Sequence, residues 1–369
     1  MSSLTSSAPF TQAVVSSMRK LYPESLADKS FDNTGLLLEA PFNPSRRQRN
    51  SVLLTIDLTK AVADEAIKRK DSVVVAYHPI IFRGLKSLTL NDPQQQSLLR
   101  LAQEGISVYS PHTAVDSVPG GMADWLCDVV TGAITPTSSS SSPSLSSKLQ
   151  SSSSEVYTKA AFPQPPRSTT QSSPTPHTRS TIHPSPPPIP EGFESAGAGR
   201  LVTFSTPQRL TSIIDRIASG TGYPAGIPIA VPQNTSVDDA YITTIGICPG
   251  SGSSVLLKAG VPLPDLLFTG ELSHHEALAA IERGSFVVAL SHSNTERGYL
   301  HSAMREKLLT TLKTEWEAVR SQALGALTDA AKQGAQGEAK SDAYADVEVI
   351  VDVSERDRDP YGFMVLSLK

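Results

Sequence analysis

Three apolar, β-branched runs in this chain each end on a histidine: Val73 to His78, Ile106 to His112 and Phe286 to His292. A fourth, Leu266 to Glu271, ends on a carboxylate. Imidazole nitrogen and carboxylate oxygen are donors suited to zinc, manganese and iron. Short apolar runs followed by helix-like stretches read as buried strands of an α/β sheet. In such sheets ligands gather at the carboxyl ends of the strands, where side chains leave the core and converge. Imidazole and carboxylate placed there repeatedly point to a metal-binding hydrolase site rather than to a set of core histidines.

The densest motif is His292-Ser293-Asn294-Thr295-Glu296. A strand delivers His292, the chain turns, and Ser293 or Asn294 caps the next helix. Glu296 then falls in the first turn, where the helix dipole favours a carboxylate. Alone, a glutamate there only compensates the dipole; beside His292 it makes a ligand pair. In Tyr77-His78-Pro79 the proline ends the strand and holds His78 extended. Asp116 shares a loop with His112, where an aspartate caps, turns the chain or bridges metals. Glu271, directly after its strand, is a candidate proton shuttle, or the carboxylate that fixes a ligand histidine in its tautomer. His274 and His275 are neighbours on a helix, so at most one faces the site. Gly250-Ser251-Gly252-Ser253-Ser254 precedes a helix whose amides could receive an anion. It lacks the lysine of a P-loop, and a tight turn explains it equally well.

Alternating strands and helices must position these groups. Helical spacing covers 10–22, 59–68, 94–103, 122–130, 206–218, 251–259 and 274–283, and a long helix starts near Asn294. Thr206-Pro207 reads as N-cap and first helical position. Further strands are expected over 35–38, 51–57, 201–204, 240–248 and 347–351. From Pro136 to about Gly199 serine, proline and threonine dominate, a composition that cannot bury enough apolar surface to offset ordering entropy. A short patch, Val156 to Phe162, has the apolar content to add a strand or to dock transiently. His177 and His183 lie in this insert and are set aside as ligands. The predicted class is therefore α/β: an N-terminal half over 1–135, a disordered Ser/Pro-rich insert over 136–199, and a similar C-terminal half over 200–369, both with mixed sheets.

Composition narrows the function classes. The chain has 369 residues, enough for two domains. Its formal net charge of −4 argues against a broad footprint for nucleic acid or anionic membrane. Two cysteines, Cys127 and Cys248, make no disulfide framework. No apolar stretch approaches the roughly 20 residues that span a bilayer. The first residues resemble neither a secretory signal nor an arginine-rich presequence. The expected compartment is the cytoplasm, with the nucleus as a second location and the mitochondrion left open. Asn234-Thr235-Ser236 matches a glycosylation site, which means nothing without a secretory route.

Five ordered motifs carry a resemblance: Asp32-Asn33-Thr34-Gly35-Leu36; Tyr77-His78-Pro79; Ser110-Pro111-His112-Thr113-Ala114-Val115-Asp116; Thr269-Gly270-Glu271-Leu272-Ser273-His274-His275; and Ser291-His292-Ser293-Asn294-Thr295-Glu296-Arg297-Gly298. Together they resemble the GTP cyclohydrolase I type 2 family, also called the Ngg-interacting-factor-three-like family, in its eukaryotic branch. The match runs over 10–132 and 201–363, apart from a stretch near 323–344. It implies two intertwined α/β halves with a metal centre in the cleft between them, in a homo-oligomer that is often a toroidal hexamer. It also implies one or two divalent ions per chain, held by His78, Asp116, His292 and Glu296. Many bacterial members have two consecutive histidines where this chain has Tyr77-His78, and neutral tyrosine is a poor ligand. Two functions stay open under the resemblance. One is a metal-dependent hydrolase of a small nucleotide-like or phosphorylated substrate, with Glu271 and Glu296 in catalysis. The other is an interaction protein linked to transcriptional coactivators, with a structural or vestigial metal site.

Overall fold

The computed structural model describes residues 7–43, 47–137, 160–223, 226–257, 262–332 and 343–364. In chain order its strands are β1 (Gly35–Leu38), β2 (Arg49–Thr55), β3 (Asp71–Ala76), β4 (Ser107–Ser110), β5 (Ile134–Pro136), β6 (Thr169–Gln171), β7 (His177–Pro184), β8 (Gly197–Arg209), β9 (Ile229–Ala230), β10 (Tyr241–Ser251), β11 (Leu266–Glu271), β12 (Phe286–Ala289) and β13 (Ile350–Val353). The chain divides into two units, Met1–Val115 with Ala303–Asp357, and Asp116–Ser302 with Arg358–Lys369.

In the first unit the strand order is β1-β4-β3-β2-β13, with β1 antiparallel at one edge and the other strands parallel. Helices start and stop where short-range chemistry directs. Asp92 accepts from the amides of Gln94 and Gln95, capping the helix Pro93–Glu104, and Gly105 closes it in the left-handed region at φ 80°. Thr59 caps Lys60–Arg69. Val62, Ala63 and Ala66 of that helix pack with Leu101 on one sheet face, over Leu53, Val74 and Val108. Alternation sends Val52, Leu54, Val73 and Val75 to the opposite face, and all are buried. The helix Pro9–Leu21 pairs with Arg305–Lys332, its Phe10 ring edge-on to Trp316 at 5.4 Å. Burying a side chain of this size contributes roughly 1.5–3 kcal/mol, so this double-faced core fixes the strand ends firmly.

The second unit orders its main sheet β7-β8-β10-β11-β12-β9, with β10, β11 and β12 parallel. Leu256, Leu267, Ala280 and Val287 pack on one side of it. A reciprocal capping box between Ser273 and Glu276 starts the helix His274–Glu282.

The class is α/β with mixed sheets, and several local expectations need correction. The first unit is discontinuous in sequence, because β13 comes from the far end of the chain to lie parallel to β2. Part of the Ser/Pro-rich stretch is ordered. His177 to Pro184 form β7, antiparallel to β8, where threonine and isoleucine suit an edge strand and prolines stand at its ends. The patch from Val156 lies largely outside the described residues, but Ala161 makes a bridge to Phe363. The helix expected from Thr206 instead spans Leu210–Thr221, because Gln208 and Arg209 still pair with β10. Pro207 is accommodated where the ladder is irregular, between Thr203 and Gln208. The helix placed over 251–259 is only Ser253–Leu256 within the described residues. The long helix begins at Arg305, after a 3-10 turn His292–Thr295, a short turn Arg297–Tyr299 and a π segment Leu300–Met304.

Candidate metal centre

In the first unit three adjacent parallel strands, β2, β3 and β4, end at Thr55, Ala76 and Ser110. Asp57, His78 and His112 each follow two residues later, so one sheet edge carries a carboxylate and two imidazoles. His78 Nδ1 lies 2.9 Å from Asp57 Oδ1. His112 Nδ1 lies 2.6 Å from Asp32 Oδ1. An ionised carboxylate only accepts, so each Nδ1 is the donor, and in the neutral ring Nε2 is left as the acceptor. The Asp32 side chain is closed off from solvent and also accepts from the Thr113 amide and hydroxyl. Burial pushes its pKa up, but the hydrogen bond and charge of His112, with the bonds from Thr113, outweigh this and hold it below the ordinary 3.8. His112 sits at φ 35°, a left-handed conformation that few non-glycine residues adopt. Tyr77 is buried, its ring 4.9 Å from that of His78 and 5.3 Å from that of His112.

In the second unit β11 ends on Glu271, and β12 leads through Ser291, at φ 72°, to His292. His292 repeats the arrangement: Nδ1 is 2.9 Å from Glu271 Oε1, and Nε2 is 3.5 Å from Glu296 Oε1. The Glu296 side chain is 1% exposed against 55% for Glu271. Gly250, at φ +61°, faces this pair. A Cβ there would lie 2.8 Å from Glu296 Oε1 and 2.9 Å from His292 Nε2, so only glycine leaves the space open. Thr295 locks the loop by accepting from the Gly250 amide and donating to the His292 carbonyl. Asp116, half-buried in the turn Thr113–Ser117, reaches the same ground: burial raises the Cys248 thiol pKa, and the negative charges of Asp116 and Glu296 raise it further.

Within the second unit His292 Nε2 and the buried Glu296 carboxylate offer a nitrogen and an oxygen donor to a metal ion. The donor set suits a first-row divalent cation, and the gap kept open by Gly250 fits one. His274 and His275 are exposed, and their rings meet edge-on with centroids 5.2 Å apart. His183 and His177 are strand residues, with His183 Nε2 2.9 Å from the Val255 carbonyl oxygen. Ser293 and Asn294 do not cap a helix. The Ser293 hydroxyl donates to Asp359 and accepts from the buried Arg297, while the Asn294 amide donates to the Leu290 carbonyl. Sequence reasoning missed Asp57 and Asp32 as carboxylate partners. Asp57 also closes an apolar run, which was the available signal; Asp32 lay inside a quoted motif without a role. Spacing alone makes Gly250 part of a tight turn or an anion-receiving loop, not the opening beside His292 and Glu296.

No helix among the described residues is long and apolar enough to cross a membrane. Residues 11–323 match the model of the family described as Duf34/NIF3 (NGG1p interacting factor 3). The "Protein NIF3 homolog" of Schizosaccharomyces pombe is 40% identical over 299 residues, covering 81% of this chain and 88% of the relative. The "NGG1-interacting factor 3" of Saccharomyces cerevisiae is 33% identical over 299 residues, covering 79% and 88%. Human "NIF3-like protein 1" is 29% identical over 353 residues, covering 84% and 90%. Among solved structures, the Staphylococcus aureus hypothetical protein SA1388 superposes with a TM-score of 0.60 at 18% identity, covering 97% of this chain and 100% of that one. A Bacillus cereus protein related to NIF3 gives 0.59 at 18% identity, covering 95% and 98%. The match over most of the chain, joined to motifs that fold into paired histidines and carboxylates, makes this protein a member of the Duf34/NIF3 family.

Proposed function

We propose that the chain is a metal-dependent hydrolase acting on a small nucleotide-like or phosphorylated substrate. The observation that carries this reading is the carboxylate behind each of two strand-end histidines, Asp57 behind His78 and Glu271 behind His292. Carboxylate–imidazole pairs of this kind fix the ring and raise its basicity toward a cation. His78, His292 and Glu296 would hold the ion, and Asp116 would add a second carboxylate or bridge to a second ion. When bound, zinc, manganese or iron supplies the Lewis acidity that makes a water a nucleophile near neutral pH. Glu271, largely exposed, would hold the His292 ring through Nδ1–H and be the candidate proton shuttle between the reacting water and solvent. Buried Glu296 would keep its charge against the ion, and Gly250 would keep side chains out of the space. The residue at position 77 is tyrosine, so fewer imidazoles are offered than in relatives with two consecutive histidines.

Metal content decides the premise. Purified wild type is expected to carry close to a stoichiometric divalent metal by elemental analysis, and His292→Ala to lose most of it. Unchanged occupancy in that variant removes the reading. A panel of nucleotides and phosphoesters then tests turnover, which should fall with the ligand variants.

A second reading has one specific support: the Saccharomyces cerevisiae relative is named for its interaction with NGG1. Under it the chain is an adaptor for a transcription-related partner, in cytoplasm or nucleus, and the ion is structural. No turnover with any of several metals, together with metal-dependent partner capture, would favour it. Assembly into a homo-oligomer, expected from the family resemblance, is compatible with both and is checked by light scattering.

A further inference from the structure

Two phenylalanines in the first unit stand half in water, while Phe10, Tyr22, Tyr77, Tyr109 and Trp316 are buried. Phe31 is 52% and Phe82 48% exposed. Phe31 directly precedes Asp32, the partner of His112, and Phe82 lies four residues beyond His78. The two rings are 6.3 Å apart, and each is 6.4 Å from the His112 ring, which meets both edge-on. His112 in turn packs 5.5 Å from His78.

Both loops are held by hydrogen bonds. The Asn33 side chain donates to the Ile81 carbonyl, tying one phenylalanine loop to the other. The Asp28 amide donates to the Thr113 hydroxyl, and Asp32 accepts from the Thr113 amide. The exposed rings are thus preorganised, which lowers the ordering entropy a ligand would face. We infer that the exposed faces of Phe31 and Phe82, braced edge-on by His112, take the planar heteroaromatic base of the substrate by stacking, with the remainder of the molecule directed to His78.

The chemistry favours a flat aromatic occupant. Phenylalanine faces accept any base by stacking, an interaction worth roughly 1–3 kcal/mol, or about tenfold to a hundredfold in affinity. His112, its Nδ1 committed to Asp32, presents Nε2 as an acceptor for an exocyclic or ring N–H of the base. Leu85, Leu88 and Leu90 on the same loop are also exposed, so a second protein surface is the competing occupant. The inference rests on the proposed metal site for the reacting end only; the base contact stands by itself.

The test is calorimetry on the full chain with guanosine 5′-monophosphate and ribose 5-phosphate. Wild type should bind the nucleotide at least about tenfold more tightly than the sugar phosphate. Phe82→Ala and Phe31→Ala should each remove most of that difference, leave ribose 5-phosphate binding and metal content unchanged, and Phe82→Tyr should retain it. Equal affinities in wild type, no nucleotide binding, or full nucleotide affinity in both alanine variants would overturn the platform. A shift in oligomeric mass in those variants, with nucleotide binding intact, would assign the rings to a second copy instead. If His292→Ala keeps its metal while the base difference persists, the metal reading fails and the platform does not.

Discussion

Asp32 behind His112 and Glu271 behind His292 make nearly the same bond, 2.6 and 2.9 Å to Nδ1, in opposite surroundings. Asp32 is sealed from solvent and satisfies three donors of the first unit. Glu271 is 55% exposed and serves one. A buried carboxylate that answers several donors is part of what holds a loop in place. An exposed one adds little to stability and can only bias the ring it touches. Similar contacts therefore hide unequal jobs: the first pair builds, the second adjusts.

Removing the buried member should show the largest effect. Asp32→Ala leaves the His112 and Thr113 donors unanswered in the interior, and a loss of about 3–5 kcal/mol in denaturant unfolding is expected. The pH dependence follows with a definite sign. The folded-state pKa of Asp32 is held below its ordinary value, so its contribution is fully present above about pH 4 and disappears as pH falls through the lower value. Asp32→Asn should flatten that acid limb of the unfolding midpoint; an unchanged limb would mean that Asp32 is not tightly held.

Gly250→Ala comes next. A methyl there meets Glu296 and His292 below 3 Å on a backbone that disfavours side chains, so about 1–3 kcal/mol and most of the bound metal should be lost. Full metal content in that variant would put the ion elsewhere. Glu271→Gln should give the smallest change in folding, within about 0.5 kcal/mol, while metal affinity drops roughly 10–100-fold. Should Glu271→Gln destabilise as much as Asp32→Ala, the contrast between the two pairs collapses.

The sequence announced the strand ends better than what lies behind them. Apolar runs closing on His78, Glu271 and His292 were visible because a parallel strand is buried on both faces and its first polar residue marks the edge. The carboxylate partners were not equally visible. Asp57 belongs to the neighbouring strand and Asp32 to a loop far upstream, and spacing carries no information about which loops touch. The capping roles given to Ser293 and Asn294 failed for a related reason. Their side chains found tertiary partners in Asp359, Arg297 and the Leu290 carbonyl, which outcompeted a local cap. Composition misjudged 177–184 because an edge strand needs only one neighbour, and β8 supplied it.

Strand β13 adds a consequence for synthesis. It completes the sheet begun by β1 to β4, yet it is translated after every strand of the other unit. While the ribosome is still elongating, the outer flank of β2 stays open as a row of unanswered amides and carbonyls, the kind of edge on which nascent chains stick to one another. A chaperone able to shield that flank until β13 emerges would raise the yield of folded protein.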